Sequence, residues 1–212
     1  VVVSDTVVFL DFDGTLTRRD SLLPFLRRSC GDLALLRGLV LCSPVLLGFV
    51  AGRIPNDVAK QHLLAQLLRG RDIAALRAVG EQYAAQALDG LLRPEGMAKL
   101  AAHRAAGDRC VLVSASLDLW LEPWARRHGI EAVLCSQLET DAQGRVSGRL
   151  AGANCHGQEK VRRVRAFLGG SRPARIVAYG DSRADLPLLQ FADEGWRWRA
   201  GTFVACPPGG RA

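Results

Sequence analysis

Two carboxylates spaced i, i+2 close an apolar run in Val7-Val8-Phe9-Leu10-Asp11-Phe12-Asp13-Gly14-Thr15-Leu16-Thr17. Acids placed so close repel each other unless a cation lies between them. Two later runs end the same way in polar groups. "RCVLVS" leads into Ser114-Ala115-Ser116, and "RIVAY" leads into Gly180-Asp181-Ser182, with Asp185 four residues after Asp181. Lys160 stands near the start of a helical pattern just before the last of these runs. An all-oxygen acid set suits Mg²⁺ rather than zinc. His62, His103, His128 and His156 show no metal-ligand spacing.

With Mg²⁺ as counter-charge, the acids can face a phosphate. Asp11 is then placed to attack phosphorus and become an aspartyl-phosphate. Asp13 can protonate the leaving alkoxide and later deprotonate the water that releases phosphate, while its backbone carbonyl reaches the metal. Gly14 permits close backbone approach to the phosphate, and Thr15 fixes the turn. Ser114 and Lys160 hold the phosphoryl oxygens as charge shifts, with Ala115 beside them. Asp181 is the third metal ligand, with Asp11 and Asp13, and Asp185 supports it from behind.

These groups converge only if the apolar runs are strands of one sheet. Residues 6–12, 109–114, 132–136 and 175–179 are continuous apolar runs, as in strands buried on both faces. Helical patterns alternate with them over 94–106, 117–128 and 158–168, stopped by Gly107, Gly129 and Gly169. Alternation of this kind means a parallel α/β sheet with helices on both faces, and ligands of such sheets bind beyond the carboxyl ends of the strands. Residues 137–150 read as a hairpin flap. The interval 21–92 lacks a strand pattern and reads as an all-helical insert, with helices over 57–68 and 73–88. The core is then 1–20 plus 93–212.

The chain has 212 residues, is 49% hydrophobic and carries a net charge of +7. That supports a real core and favours anionic partners. Aromatics are 6% and do not interleave with the scattered arginines, so no base-stacking surface is expected and nucleic acid is excluded as a partner. Six cysteines form no C-x-x-C pair, which fits reduced thiols in a cytoplasmic setting. The first apolar run ends in acids rather than a cleavage site, so it does not read as a signal peptide. Residues 33–51 are the longest apolar stretch, interrupted by Arg37 and Pro44. They read as a helical hairpin, either packed internally or resting peripherally on the inner membrane face against anionic lipid. Trp196-Arg197-Trp198-Arg199 reads as arginine stacked on tryptophan, and the final "PPGGRA" as a frayed end.

D-x-D-G-T at 11–15, V-S-A-S at 113–116, Lys160 in "NCHGQEK" and G-D-S-x-x-D at 180–185 resemble the four motifs of the haloacid dehalogenase superfamily, in order and across most of the chain. The insert after the first motif resembles the cap of the phosphoserine phosphatase-like branch. The resemblance implies a Rossmann-like core, Mg²⁺ dependence and a cap that closes over a phosphorylated substrate. Phosphoserine phosphatases carry Glu where Asp20 stands here, and a cap arginine where residues 56–68 offer only Lys60; Asp20 and Lys60 are therefore the substrate-binding expectations. The apolar run 33–51, "GQEK" and the C-terminal "GWRWR" are loosely similar to bacterial phosphatidylglycerophosphate phosphatases, which makes a lipid-linked phosphate a second substrate class. Two alternatives share the strand-end acids. A phosphorylated receiver domain needs neither Asp13 nor the insert, and a phosphotransferase or mutase differs only in water access.

Overall fold

The computed structural model describes residues 5–170, 172–207 and 209. The chain enters through strand β1 (Thr6–Leu10), whose five side chains are all buried, and turns sharply over Phe12–Leu16. Four helices follow: α1 (Leu22–Cys30), α2 (Asp32–Val50), α3 (Asn56–Leu68) and α4 (Ile73–Gln86). Alternation then resumes with α5 (Pro94–Ala105), β2 (Arg109–Leu117), α6 (Asp118–Arg127) and β3 (Ala132–Ser136). A two-stranded hairpin, β4 (Leu138–Thr140) and β5 (Val146–Leu150), leads to α7 (Gln158–Leu168) and β6 (Arg175–Gly180). The short helix α8 (Leu186–Phe191) and strands β7 (Glu194–Arg199) and β8 (Thr202–Cys206) complete the fold.

The main sheet has the order β3-β2-β1-β6-β7-β8, parallel except for β8. Its central strand β1 alternates between two cores. Val8 and Leu10 pack on the side of α5 and α6, and Val7 and Phe9 on the side of α7 and α8. Leu10 lies in register with Leu112 on one side and Tyr179 on the other, so the carboxyl ends of β1, β2 and β6 form one edge.

Helices α1 and α4 are fastened to the sheet layer by aromatics. Phe25 of α1 stacks on Trp120 of α6 at 4.5 Å, with Tyr83 of α4 closing the group at 5.9 and 6.1 Å. Such ring pairs each add roughly 0.5–1.5 kcal/mol beyond their buried area. Nearby, Pro123 cannot donate to the Leu119 carbonyl one turn back. Helix α4 approaches that carbonyl through Gly80, where a Cβ would stand 2.1 Å from the oxygen.

Three sequence expectations need correction. Strand β1 ends at Leu10 rather than at residue 12, because Gly14 takes φ +80° and the chain must turn before it. The stretch 33–51 is not a hairpin: it lies in one helix, Asp32–Val50, capped by Ala51. Pro44 removes the donor that would reach the Val40 carbonyl, but the Ser43 hydroxyl donates to that oxygen at 2.7 Å, so the helix runs on. "GWRWR" lies in strand β7, and the cations over its rings come from elsewhere: Arg93 sits 4.0 Å from the Trp198 ring centre and Lys99 5.8 Å from that of Trp196. Within the expected frayed end, residues 208 and 210–212 lie outside the described residues.

Candidate active site

Four segments meet at the carboxyl edge of the sheet. Asp11 leaves β1 with its backbone N–H donating to the Tyr179 carbonyl at 3.0 Å, which continues the β1–β6 ladder one residue past the strand. Its carboxylate is buried with 6% exposure. Lys160, from the first turn of α7, is only 2% exposed and donates to Asp11 Oδ1 at 2.7 Å and to Asp185 Oδ1 at 2.6 Å. Burial pulls the Lys160 ammonium toward deprotonation, but Asp11 and Asp185 outweigh it and hold the charge above the ordinary lysine range. The same burial, together with Asp185 and Asp181, pushes Asp11 well above the usual carboxylate range despite Lys160.

Asp185 is organised by the loop after β6. Its Oδ2 accepts from Ser182 Oγ at 2.6 Å, Ser182 N at 2.9 Å and Asp181 N at 3.2 Å. These bonds and Lys160 keep it ionised below its ordinary pKa against the effect of burial. Asp181 has fewer donors, and burial and Asp185 push it up. The Arg197 guanidinium holds the Asp181 carbonyl at 2.9 Å. Oxygen atoms of Asp11, Asp181 and Asp185 all lie within 4.8 Å of one another. Gly14 closes this cluster: a Cβ there would stand 2.1 Å from Asp181 Oδ2. Thr15 Oγ1 reaches Asp11 Oδ2 at 3.4 Å and Asp181 Oδ1 at 3.5 Å. Two buried acids and a half-buried third, set against one lysine and offering only oxygen donors, fit a small hard dication such as Mg²⁺.

The Asp13 carboxylate turns the other way. Oδ1 accepts from Ser21 N at 2.8 Å and Oδ2 from Ser116 Oγ. Burial and the nearby Asp20 raise its pKa to about 6. Ser21 is itself fixed by Trp120 Nε1 at 3.0 Å and by Tyr83, whose hydroxyl donates to the Ser21 carbonyl at 3.1 Å. The side chain of Asp13 therefore stands apart from the three clustered acids.

A cavity of about 570 Å³ joins these groups. Asp11, Asp13, Gly14, Ser114, Lys160 and Asp181 line its floor, and Leu22, Leu23, Leu46, Phe49 and Leu63 of the insert form an apolar wall. Ser114 Oγ also accepts from Ser116 N at 3.1 Å. Lys60 reaches down from α3, donating to the Ala115 carbonyl and to Asn154 Oδ1 at 3.2 Å. Burial lowers the Lys60 pKa to about 8. His156, Arg18 and Arg19 lie on the cavity as well. Asp20 borders it, but its carboxylate accepts from Leu22 N at 2.8 Å and Leu23 N at 3.3 Å, so it caps α1.

Four contributors escaped sequence reasoning. Ser116 stood inside V-S-A-S and could have been read as a partner for Asp13. Ser21 had only its place beside Asp20 as a signal. Asn154, which joins Lys60, Ser136 and Asn56, stood at the head of "NCHGQEK" without a role, and Arg93, which donates to the Gly14 carbonyl at 3.0 Å, had no local signal at all.

The chain is similar to several known proteins. Protein CicA of Caulobacter vibrioides is 35% identical over 193 residues, 90% of this chain and 85% of its own. A Mycobacterium tuberculosis protein named "probable phosphatase" is 28% identical over 191 residues, 87% of this chain and 66% of its own. Among solved structures, a Bordetella pertussis protein of unknown function superposes with a TM-score of 0.76 at 27% identity, covering 92% of this chain and 89% of that one. A Vibrio cholerae structure described as a probable phosphoserine phosphatase shares the fold, with a TM-score of 0.64 at 18% identity over 92% of this chain and 57% of that one. The family profile of the haloacid dehalogenase-like hydrolases matches residues 8–190, and this chain belongs to that family.

Proposed function

We propose that the chain is a Mg²⁺-dependent phosphomonoesterase that works through an aspartyl-phosphate on Asp11, with residues 21–92 as a cap over a core of 1–20 and 93–212. The observation that carries this reading is the division of labour between two acids two residues apart. Asp11 sits in the buried cluster with Lys160, while Asp13 is held away from it by Ser21 and Ser116 with a pKa of about 6. A carboxyl that titrates so near neutrality can both give and take a proton. Phosphatase names among the relatives support the same class.

The Asp11 carboxylate attacks phosphorus, and Asp13 gives its proton to the departing alkoxide oxygen. Asp13 then takes a proton from water as that water attacks the acyl-phosphate, which frees inorganic phosphate and restores both acids. Lys160 and Ser114 neutralise and orient the phosphoryl oxygens, and Gly14 leaves room for them. Asp11, the Asp13 backbone carbonyl and Asp181, supported by Asp185, would hold Mg²⁺, which would supply the counter-charge that lets an anionic ester meet these acids. Lys60 lies where it can meet a further anionic group of the substrate, a small-molecule or lipid-linked phosphate monoester.

Steady turnover of p-nitrophenyl phosphate with Mg²⁺ tests the proposal. A single stoichiometric phosphorylation without turnover is the receiver outcome and overturns it. The position of Asp13 favours turnover, because a receiver needs no acid for the leaving group.

A further inference from the structure

Helix α2 departs from the rest of the molecule in what it leaves uncovered. Leu33, Leu36, Val40, Leu47 and Val50 recur at helical spacing, and all are exposed, Leu33 and Val50 to 81%. Only 11% of an 18-residue window of this helix is buried, although its mean hydropathy is 2.1. The helix is 19 residues long, about 28 Å. It is nevertheless tied down along its length. At Gly38 a Cβ would stand 2.5 Å from Leu67 of α3, and at Gly48 2.6 Å from Ile54. A helix sewn to its neighbour on one side cannot cross a bilayer alone, but it can lie on one.

Two features say what covers the exposed side. The first is charge. Arg37 and Arg53 are exposed on and just after the helix. The acid of α2, Asp32, is already gripped by Arg27, whose Nη2 stands 2.8 Å from Oδ2. A second copy of the same face would offer these arginines no free acid of α2, whereas an anionic lipid surface meets them with phosphate. The second is continuity with the site. Leu46 and Phe49 of α2 and Leu23 of α1 line the catalytic cavity, and Phe49 and Leu23 are also exposed. The apolar wall of the cavity thus runs out onto the exposed face, and Arg18 and Arg19 stand exposed beside it.

We propose that the exposed face of α2 docks flat on an anionic bilayer, which sets the mouth of the catalytic cavity at the lipid surface. This rests on the phosphatase reading only for what the mouth is used for. The docking itself is measured without turnover.

The test is co-sedimentation of the whole chain with phosphatidylglycerol vesicles and with phosphatidylcholine vesicles. The protein should pellet with the anionic vesicles at low salt, pellet far less with the neutral ones, and be released as salt rises. Leu36→Glu with Val40→Glu, which lies on the exposed face and outside the cavity, should lower anionic-vesicle binding by more than about tenfold, since two large apolar side chains are withdrawn. The same variant should hydrolyse p-nitrophenyl phosphate as the parent does. Its circular dichroism spectrum shows whether it is folded, and Arg37→Glu with Arg53→Glu gives an independent loss if it is not. Absence of pelleting at low salt overturns the proposal. So does equal binding to both vesicle types, or a parent dimer that ignores vesicles and is split by the variant. A protein that pellets as described but has no phosphatase activity sinks the catalytic reading and leaves the docking in place.

Discussion

The carboxyl edge of the sheet and helix α2 break the usual rule of burial in opposite directions. At the edge, Asp11, Lys160 and Asp185 are buried charges. On α2, leucines and valines are turned outward. Each arrangement is costly in isolation. At the edge the cost is offset inside the chain, by direct ion pairs and by three donors to Asp185. On α2 nothing within the described residues covers the outward face. The difference teaches where to look for what each region meets. We read the half-neutralised buried charges as a place for a small ion and an anion, and the uncovered apolar helix as a place for a large surface.

If that contrast is right, substitutions of similar size should have very unequal effects in the two regions. The largest is expected at Asp11. Asp11→Asn keeps the shape but cannot form an acyl-phosphate, so turnover should fall by several decades, to well under about 1% of the parent, with an unchanged circular dichroism spectrum. Removal of metal should come next. EDTA should abolish turnover and Mg²⁺ restore it, while Ca²⁺ substitutes poorly because its larger shell misplaces the reacting groups. Asp181→Ala should raise the Mg²⁺ concentration needed for half-activity, as measured by titration of the metal-stripped enzyme.

Lys160→Met leaves two buried carboxylates facing each other, and stability should fall by about 3–5 kcal/mol in urea unfolding without metal. Mg²⁺ should return part of that loss, an outcome that separates a charge defect from a packing defect. At Lys60 the effect is smaller and depends on pH. Its ammonium is charged below about pH 8 and neutral above it. Affinity for an anionic substrate is therefore fully present below that pH and is lost as pH rises through it. In a pH profile, kcat/KM should fall above about pH 6 as Asp13 loses its proton and more steeply above about pH 8, and Lys60→Arg should remove only the second break. The smallest effect is expected on α2, where Val40→Ser should change stability by less than about 0.5 kcal/mol, as for other exposed positions. A loss there as large as at Lys160 would end the contrast.

The convergence of polar groups on the sheet edge was readable in the sequence because they stand in short motifs at strand ends. Asp11 to Thr15, Ser114 and Gly180 to Asp185 each announce themselves through residue type and spacing, and an apolar run before each fixes the edge on which they appear. The strands over 132–136 and 175–179 and the helix over 158–168 were legible for the same reason, as continuous or periodic apolar runs with glycine stops. What was not legible depends on partners far along the chain. Arg93 meets Gly14 across 79 positions and Ser116 meets Asp13 across 103. Strand β7 hid in "GWRWR", where tryptophan and arginine suggest stacking before they suggest pairing. The α2 hairpin failed on one hydroxyl: Pro44 signals a break, and Ser43 repairs it.

The central claim is that Asp11 becomes covalently phosphorylated during turnover. Borohydride reduces an acyl-phosphate to an alcohol, which converts the aspartate that carried it into homoserine. The enzyme should be mixed with Mg²⁺ and p-nitrophenyl phosphate, quenched in acid during steady turnover, reduced, and mapped by peptide mass spectrometry. The account predicts homoserine at position 11, dependent on substrate and metal and absent at position 13. Continued turnover with no modification at position 11, or modification at another aspartate, would contradict it.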